Sequence, residues 1–215
     1  MKSILCYGDS NTWGFRPDGR GRYGRDERWT GVLQAELGPE YYVIEEGLNG
    51  RTTIWDDPFG EGRNGKTWLL PCLETHKPLD LVVIMLGTND LKLRLSLPAY
   101  DIAASAGILA GMVQKSGTGV GGSAPEVLLI APPPLGKLSG LADRFHGGAE
   151  KSVQLAPLYR QVAAETGCHF LDAGSIVRTS DIDGLHWEAG EHRKFGKRLA
   201  EFIGSRVFPS GTEIG

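Results

Sequence analysis

The sequence predicts an α/β protein with a five-stranded parallel sheet and helices on both faces. Three observations carry this. Short runs rich in Val, Ile and Leu recur at Ile4–Tyr7, Tyr42–Glu45, Leu81–Leu86, Val127–Ala131 and His169–Leu171, each bounded by Gly, Pro, Asp or Asn. Segments of helical period lie between them. The run LVVIML is apolar at every position, as a strand covered on both faces should be. Strands that alternate with helices pair in parallel, because each helix carries the chain back across the sheet.

The elements follow in chain order. Ile4–Tyr7 ends at Gly8, and Asp9, Ser10, Asn11 and Thr12 are turn formers and helix caps. Ser10 therefore stands where a strand ends, the edge at which open α/β sheets bind ligands. Helices are predicted over Trp29–Leu37, Pro98–Lys115, about Ala149–Thr166 ending at Gly167, and about Glu191–Val207. The last carries Phe195, Leu199 and Phe202 at i, i+4 and i+7. Two longer stretches, 47–66 and 132–147, are polar or rich in Pro and Gly and follow strand ends, so they should overhang the carboxyl edge. GTGVGGSAP (117–125) reads as a surface connection. No repeat or linker divides the chain: residues 1–207 read as one domain and FPSGTEIG (208–215) as a frayed tail.

Bulk properties exclude several classes. With 215 residues, 40 % hydrophobic and 23 % charged, the chain is an ordinary globular length and composition. A net charge of -3 offers no electrostatic footprint for nucleic acid or an anionic membrane. No run approaches the ~20 apolar residues of a membrane span, and the apolar run before Asp9 is too short for a signal-peptide core. Cys6, Cys72 and Cys168 are odd in number and lack metal-ligand spacing, which fits reduced thiols. These features lead to the expectation of a cytoplasmic protein.

Three more segments end strands on the edge that carries GDS (8–10): EEGLNGRTT (45–53), GTND (87–90) and DIDGLHW (181–187). Together they bring a hydroxyl, an imidazole, carboxylates, a carboxamide and glycines. Acyl transfer needs that set: a nucleophile, a base to take its proton, a group that fixes the base's tautomer, and donors preset for the oxyanion. Asp183 and His186 are three apart, so in a turn the carboxylate reaches Nδ1 and leaves Nε2 free for Ser10. Asn89 offers an amide, and Gly50 offers a backbone N–H with close approach. Asp9 and Asp90 read as braces of their turns. Asp183 and His186 as half of a metal site lack a completing His or Cys, so no metal and no cofactor is expected.

In this order, GDS, a glycine after LN, GTND and D-x-x-H resemble the four blocks of the SGNH (GDSL-type) serine hydrolase superfamily, over roughly residues 4–190. GTND alone should occur by chance only ~once per 10⁵ positions. ILCYGDSNTWG, RWTGVL, VIEEGLNGRTT, IMLGTND, PPPL and DAGS are similar to its bacterial arylesterase branch, which includes acyltransferase/perhydrolase enzymes. The resemblance implies a three-layer α/β/α flavodoxin-like fold. It also implies Ser10 as nucleophile, His186 as base, Asp183 as its orienter, and an oxyanion hole of Ser10 N–H, Gly50 N–H and the Asn89 side chain. The expected substrate is a small short-chain acyl ester and the expected state a homo-oligomer. Gly47 competes with Gly50, which better fits the N-G-R-T-T register. The lipase elbow G-x-S-x-G is absent, since position 12 is Thr.

Trp13 and Trp187, flanking Ser10 and His186, are expected to wall an acyl or alcohol pocket, and His146 to line its mouth. RPDGRGRYGRDER (16–28), with five arginines, reads as a solvated loop or subunit contact, the sharper alternative being an anion-binding patch. Two other functions fit less of the sequence: a carbohydrate O-acetyl esterase, and a flavodoxin-like binding module in which Ser10 only caps a phosphate-holding helix.

Overall fold

The computed structural model describes residues 1–209. A five-stranded, all-parallel sheet runs in the order β2-β1-β3-β4-β5, with β1 Lys2–Gly8, β2 Tyr41–Gly47, β3 Leu81–Met85, β4 Glu126–Ala131 and β5 His169–Asp172. The helices are α1 Ser10–Trp13, α2 Trp29–Leu37, α3 Gly65–His76, α4 Ala99–Gln114, α5 Gly148–Thr166 and α6 Ala189–Phe202. The chain leaves β1 toward β2 on one side and returns to β3 on the other. The strand order thus reverses at β1/β3, where such sheets open a crevice at their carboxyl ends.

Side-chain alternation builds the two layers. Leu5 and Tyr7 of β1, Val82 and Ile84 of β3, and Val127 and Leu129 of β4 face a core shared with α3, α4 and α5. Ile4, Cys6, Leu81, Val83, Leu128 and Ile130 face the other core, with Trp29 and Leu33 of α2 and Phe195 and Leu199 of α6. A central strand apolar at every position is the consequence of being covered twice.

Two elements were not legible. In α3, only Leu69 and Leu73 are buried at helical spacing beyond its first residue, and Pro71 interrupts the run. The Asn64 side chain caps it by accepting from Lys66 N at 3.0 Å. In α1, a single turn is fixed by its ends: Asp9 Oδ1 accepts from Asn11 N at 3.0 Å, and Gly14 closes it at φ 87°. At the other end, Phe208 does not fray. It packs on Tyr41 with centroids 6.3 Å apart and lies under Lys2 Nζ at 4.2 Å. The rest of the expected tail, 210–215, lies outside the described residues.

The arginine-rich stretch is mostly solvated, with Arg20, Arg22 and Arg25 exposed, and only Arg28 is built into the core. Arg28 is buried and pairs with Glu45 through Nε at 3.2 Å and Nη2 at 2.8 Å, while its Nη1 donates to Tyr23 O at 2.9 Å. Arg22 donates to Trp13 O at 2.6 Å and stacks over that ring at 4.9 Å. Arg16 pairs with Asp18 at 2.9 Å.

His192 of α6 lies wholly buried between Tyr23 and Trp187. Burial, then the charges of His186 and Arg28, lowers its pKa to about 3. The unfolded chain takes up this proton as pH falls through ~6.5 and the folded chain does not, so the stabilising contribution is present above that pH and lost below it. Between pH 7 and 5, wild type should lose about 2 kcal/mol relative to His192→Gln, read by urea unfolding. Parallel pH profiles would show that the ring is not desolvated as described.

Candidate active site

At the β1/β3 crevice the four segments converge on a cavity of about 410 Å³, a size suited to a small organic molecule. Ser10, Gly50, Asn89, Asp183 and His186 all line it. Ser10 is the first residue of α1, directly after β1, so its hydroxyl emerges at the edge of the sheet.

A continuous polar relay runs through the site. Ser10 Oγ lies 3.0 Å from His186 Nε2, and His186 Nδ1 lies 2.5 Å from Asp183 Oδ2. The other carboxylate oxygen, Asp183 Oδ1, accepts the backbone N–H of Leu185 and of His186, each at 2.9 Å. One carboxylate thus closes its own turn and orients the ring. Burial pushes the Asp183 carboxyl up, but the His186 ring and these two backbone donors outweigh it and hold its pKa below the usual value. The turn is braced from outside: Ser180 N donates to His186 O at 2.7 Å, Gly136 N to Gly184 O at 2.8 Å, and Asn11 Nδ2 to Leu185 O at 3.3 Å. Asn11 therefore ties the serine turn to the histidine turn.

On the opposite side, Asn89 Nδ2 donates to Arg51 O at 3.1 Å. That bond fixes the plane of the amide and leaves its second N–H for the cavity. Gly50 sits at φ 82°, a conformation that favours glycine, and lines the cavity. Gly47 does not. A Cβ there would lie 2.2 Å from the backbone N of Trp13, so Gly47 admits α1 against β2.

Two buried carboxylates hold this frame. Asp90 accepts from Thr53 N through both oxygens at 3.1 Å and from Thr53 Oγ1 at 2.5 Å, which locks the glycine loop to the GTND turn. Burial first, then the charge of Asp9, raises its pKa to about 6 against the lowering effect of Thr53. Asp9, also raised to about 6 by burial, caps α1. Arg51, not singled out in the sequence, lies under the site: Nη1 donates to Gly8 O at 2.9 Å and to Glu46 O, and its guanidinium covers the Tyr7 ring at 4.0 Å.

The residues expected as an apolar wall stand elsewhere. Trp187 is fully buried against Phe195, with centroids 5.0 Å apart. Trp13 is half-buried, stacked with Phe15 and Arg22, and does not line the cavity. His146 points to solvent, whereas its neighbour Phe145 is buried and lines the cavity. The apolar lining comes from Phe15, Pro17, Leu141, Phe145 and Leu185. Phe15 lies on the His186 ring at 4.6 Å. Its position five residues after Ser10 was the available signal, since Gly14 turns the chain back over the site. Lys92, Arg94 and Arg144 make the mouth cationic, and Lys92 and Arg94 share Asp57 at 2.9 and 2.6 Å.

A hydroxyl, an imidazole and a carboxylate in relay, with facing donors at a strand edge, define a serine-hydrolase type of site. The GDSL-like lipase/acylhydrolase family model matches residues 6–193, and the chain belongs to that family. It is similar to an aryl esterase of M. smegmatis, at 44 % identity over 95 % of this chain and 99 % of that one, with a TM-score of 0.91. It is similar to a carbohydrate acetylesterase of Sinorhizobium meliloti, at 42 % identity over 95 % and 99 % of the two chains, with a TM-score of 0.92. An acetylxylan esterase of Xylanibacter ruminicola is 29 % identical over 224 residues, 95 % of this chain. The chain spans 42 % of the length of that curated relative.

Asp90→Ala strands the Thr53 N–H and hydroxyl without a partner. It should lower stability by about 1–3 kcal/mol in urea unfolding. An unchanged midpoint would remove Asp90 from the frame of the site.

Proposed function

We propose that the protein is a serine esterase that hydrolyses short-chain, acetyl-like esters through an acyl-enzyme on Ser10. The observation that carries this is the unbroken relay of Ser10, His186 and Asp183, at 3.0 and 2.5 Å. In the first half-reaction Ser10 Oγ attacks the ester carbonyl while its proton passes to His186 Nε2, and Asp183 stabilises the imidazolium. The carbonyl oxygen takes the developing negative charge and meets Ser10 N–H, Gly50 N–H and the free Asn89 N–H. As the tetrahedral species collapses, His186 returns the proton to the leaving alcohol. Water then gives its proton to His186 and attacks the acyl-enzyme, and Ser10 recovers its hydrogen with release of the acid. The set needs neither metal nor organic cofactor.

The apolar lining by Leu141, Phe145 and Leu185 suits a small acyl group, and the Phe15 ring covers His186 from solvent. That cover supports transfer of the acyl group to alcohols or peroxide as a second outcome. Adding a primary alcohol to the assay tests it: a new ester is expected, and its absence leaves plain hydrolysis. A carbohydrate O-acetyl esterase is the alternative, favoured by the polar wall of Asn49, Arg94, Ser139 and Arg144 and by the Sinorhizobium relative. Rates on aryl acetates and acetylated sugars side by side separate the two. A non-catalytic binding module leaves the relay without a purpose. A reducing, cytoplasmic setting is consistent with three free cysteines. Among the described residues no helix is long and apolar enough to cross a membrane. Self-association is part of the reading, with light scattering as its test.

Ser10→Ala and His186→Ala should each lower kcat on p-nitrophenyl acetate by several orders of magnitude with KM little changed. Near-normal turnover in either variant defeats the mechanism. Asn89→Ala should lower kcat by about 10²–10³, the usual cost of one oxyanion donor. A loss below tenfold assigns that role to another group.

A further inference from the structure

Behind the glycine loop lies a second cavity, of about 340 Å³, walled by Glu46, Arg51, Trp68, Cys72 and His76 among others. Cys72 and His76 stand four residues apart on α3, so they project to the same side of the helix. Glu46 reaches them from β2. A carboxylate oxygen, the thiol sulfur and an imidazole nitrogen all lie within 4.8 Å of one another. His76 Nε2 is 3.0 Å from Glu46 Oε1.

We propose that Glu46, Cys72 and His76 form a binding site for a divalent transition metal of the zinc type, with water completing the coordination and the ion clipping α3 to β2. This stands apart from the esterase reading and does not depend on it.

The chemistry of the donors favours such an ion. Thiolate, imidazole and carboxylate together match zinc and its neighbours and do not suit calcium or magnesium, which take oxygen donors. Metal–ligand bonds of about 2.0–2.3 Å in a tetrahedron place donor atoms roughly 3.3–3.8 Å apart. The three atoms, all within 4.8 Å of one another, need to close by about 1 Å to reach it. All three side chains are half-buried at the cavity wall, which gives a hydrated ion a way in.

Cys72 is a free thiol, in no disulfide with another cysteine. A divalent ion takes the place of the thiol proton, so binding releases it. Among the described residues the nearby Arg51 makes no hydrogen bond to the Glu46 carboxylate: its Nη1 donates to the backbone carbonyls of Gly8 and Glu46. The charges then balance: thiolate and carboxylate neutralise the ion, and Arg51 faces a neutral cluster. The spacing Cys-x₃-His was not recognised in the sequence as a metal signal, because the third donor comes from another element.

Cobalt(II), an optical stand-in for zinc, tests this on the 215-residue chain. Titration should give a thiolate-to-cobalt charge-transfer band at one equivalent, abolished by zinc. Cys72→Ser should abolish the band, His76→Gln should weaken cobalt affinity about tenfold or more, and Cys168→Ser should change nothing. Zinc should raise the melting temperature of wild type and not of Cys72→Ser. The melting temperatures of the metal-free variants report that they are folded. No charge-transfer band in wild type overturns the proposal. So does a band that survives Cys72→Ser, or one that His76→Gln leaves unchanged, which is capture by a lone thiol.

Discussion

A parallel sheet covered on both faces leaves its strand ends as the place where polar chemistry can gather. Every strand of this sheet runs the same way, and helices occupy both faces. Polar side chains placed along β1 or β3 would be buried without partners, at a cost of a few kcal/mol each. At the carboxyl ends the backbone turns away, and loops from β1, β2 and β3 meet. The order reversal at β1/β3 separates two of those loops and opens a crevice. Ser10 and Asn89 therefore face one cavity although they lie far apart in the chain, and the crevice follows from topology before any side chain is chosen.

Holding the loops still is a separate problem, met by burying charge. Asp9 and Asp90 are carboxylates with almost no exposure, and Arg51 is a nearly buried cation. Asp9 is held within its own turn by Asn11 N, but the other contacts join separate segments: Asp90 meets Thr53, Arg51 meets Gly8 and Glu46, and Asn89 meets the Arg51 carbonyl. Such contacts are costly to leave half-made, so the loops are stable together or not at all. The elevated pKa values of Asp9 and Asp90 are the sign of that cost. These contacts hold the donors around Ser10 in place, which the proposed oxyanion role requires, since such stabilisation depends on dipoles that need not reorient during reaction.

What the sequence made legible follows the same division. The central strands were readable because double coverage makes them nearly all apolar, the edge strands β2 and β5 from shorter apolar runs between turn formers, and α2, α4, α5 and α6 because each carries a periodic apolar face. Ser10, Gly50, Asn89, Asp183 and His186 were readable as a set because their residue types answer one chemistry and each follows a strand or precedes the last helix. The helix α3 was not, because Pro71 and the exposed Trp68 and Leu70 blur the spacing of Leu69 and Leu73. The cavity walls were not, because nearness in sequence to Ser10 or His186 does not say which way a side chain turns. Trp187 follows His186 and so points to the opposite side, into the α6 core, while Phe145 reaches the cavity from a loop that has no apolar period. Arg51 was hidden inside a motif whose glycine drew the attention.

The arginines show how the two kinds of charge are separated. Within the arginine-rich stretch, Arg28 is committed to a buried pair with Glu45 and Arg22 to the carbonyl and ring of Trp13, so they stiffen the segment that leaves α1. Removing one partner of a buried pair costs about 3–5 kcal/mol, which ties Arg28 and Glu45 to the fold. The cations at the cavity mouth, Lys92, Arg94 and Arg144, come instead from the segment after GTND and from the loop after β4. They touch neither the Ser10–His186–Asp183 relay nor the Asp90 brace by hydrogen bond. Lys92 and Arg94 are themselves tied to the buried Asp57, and of the three cations Arg144 alone joins no ion pair among the described residues. The groups proposed to act on the ester are thus fixed by buried contacts between loops, while the cations of the mouth come from the segments that follow.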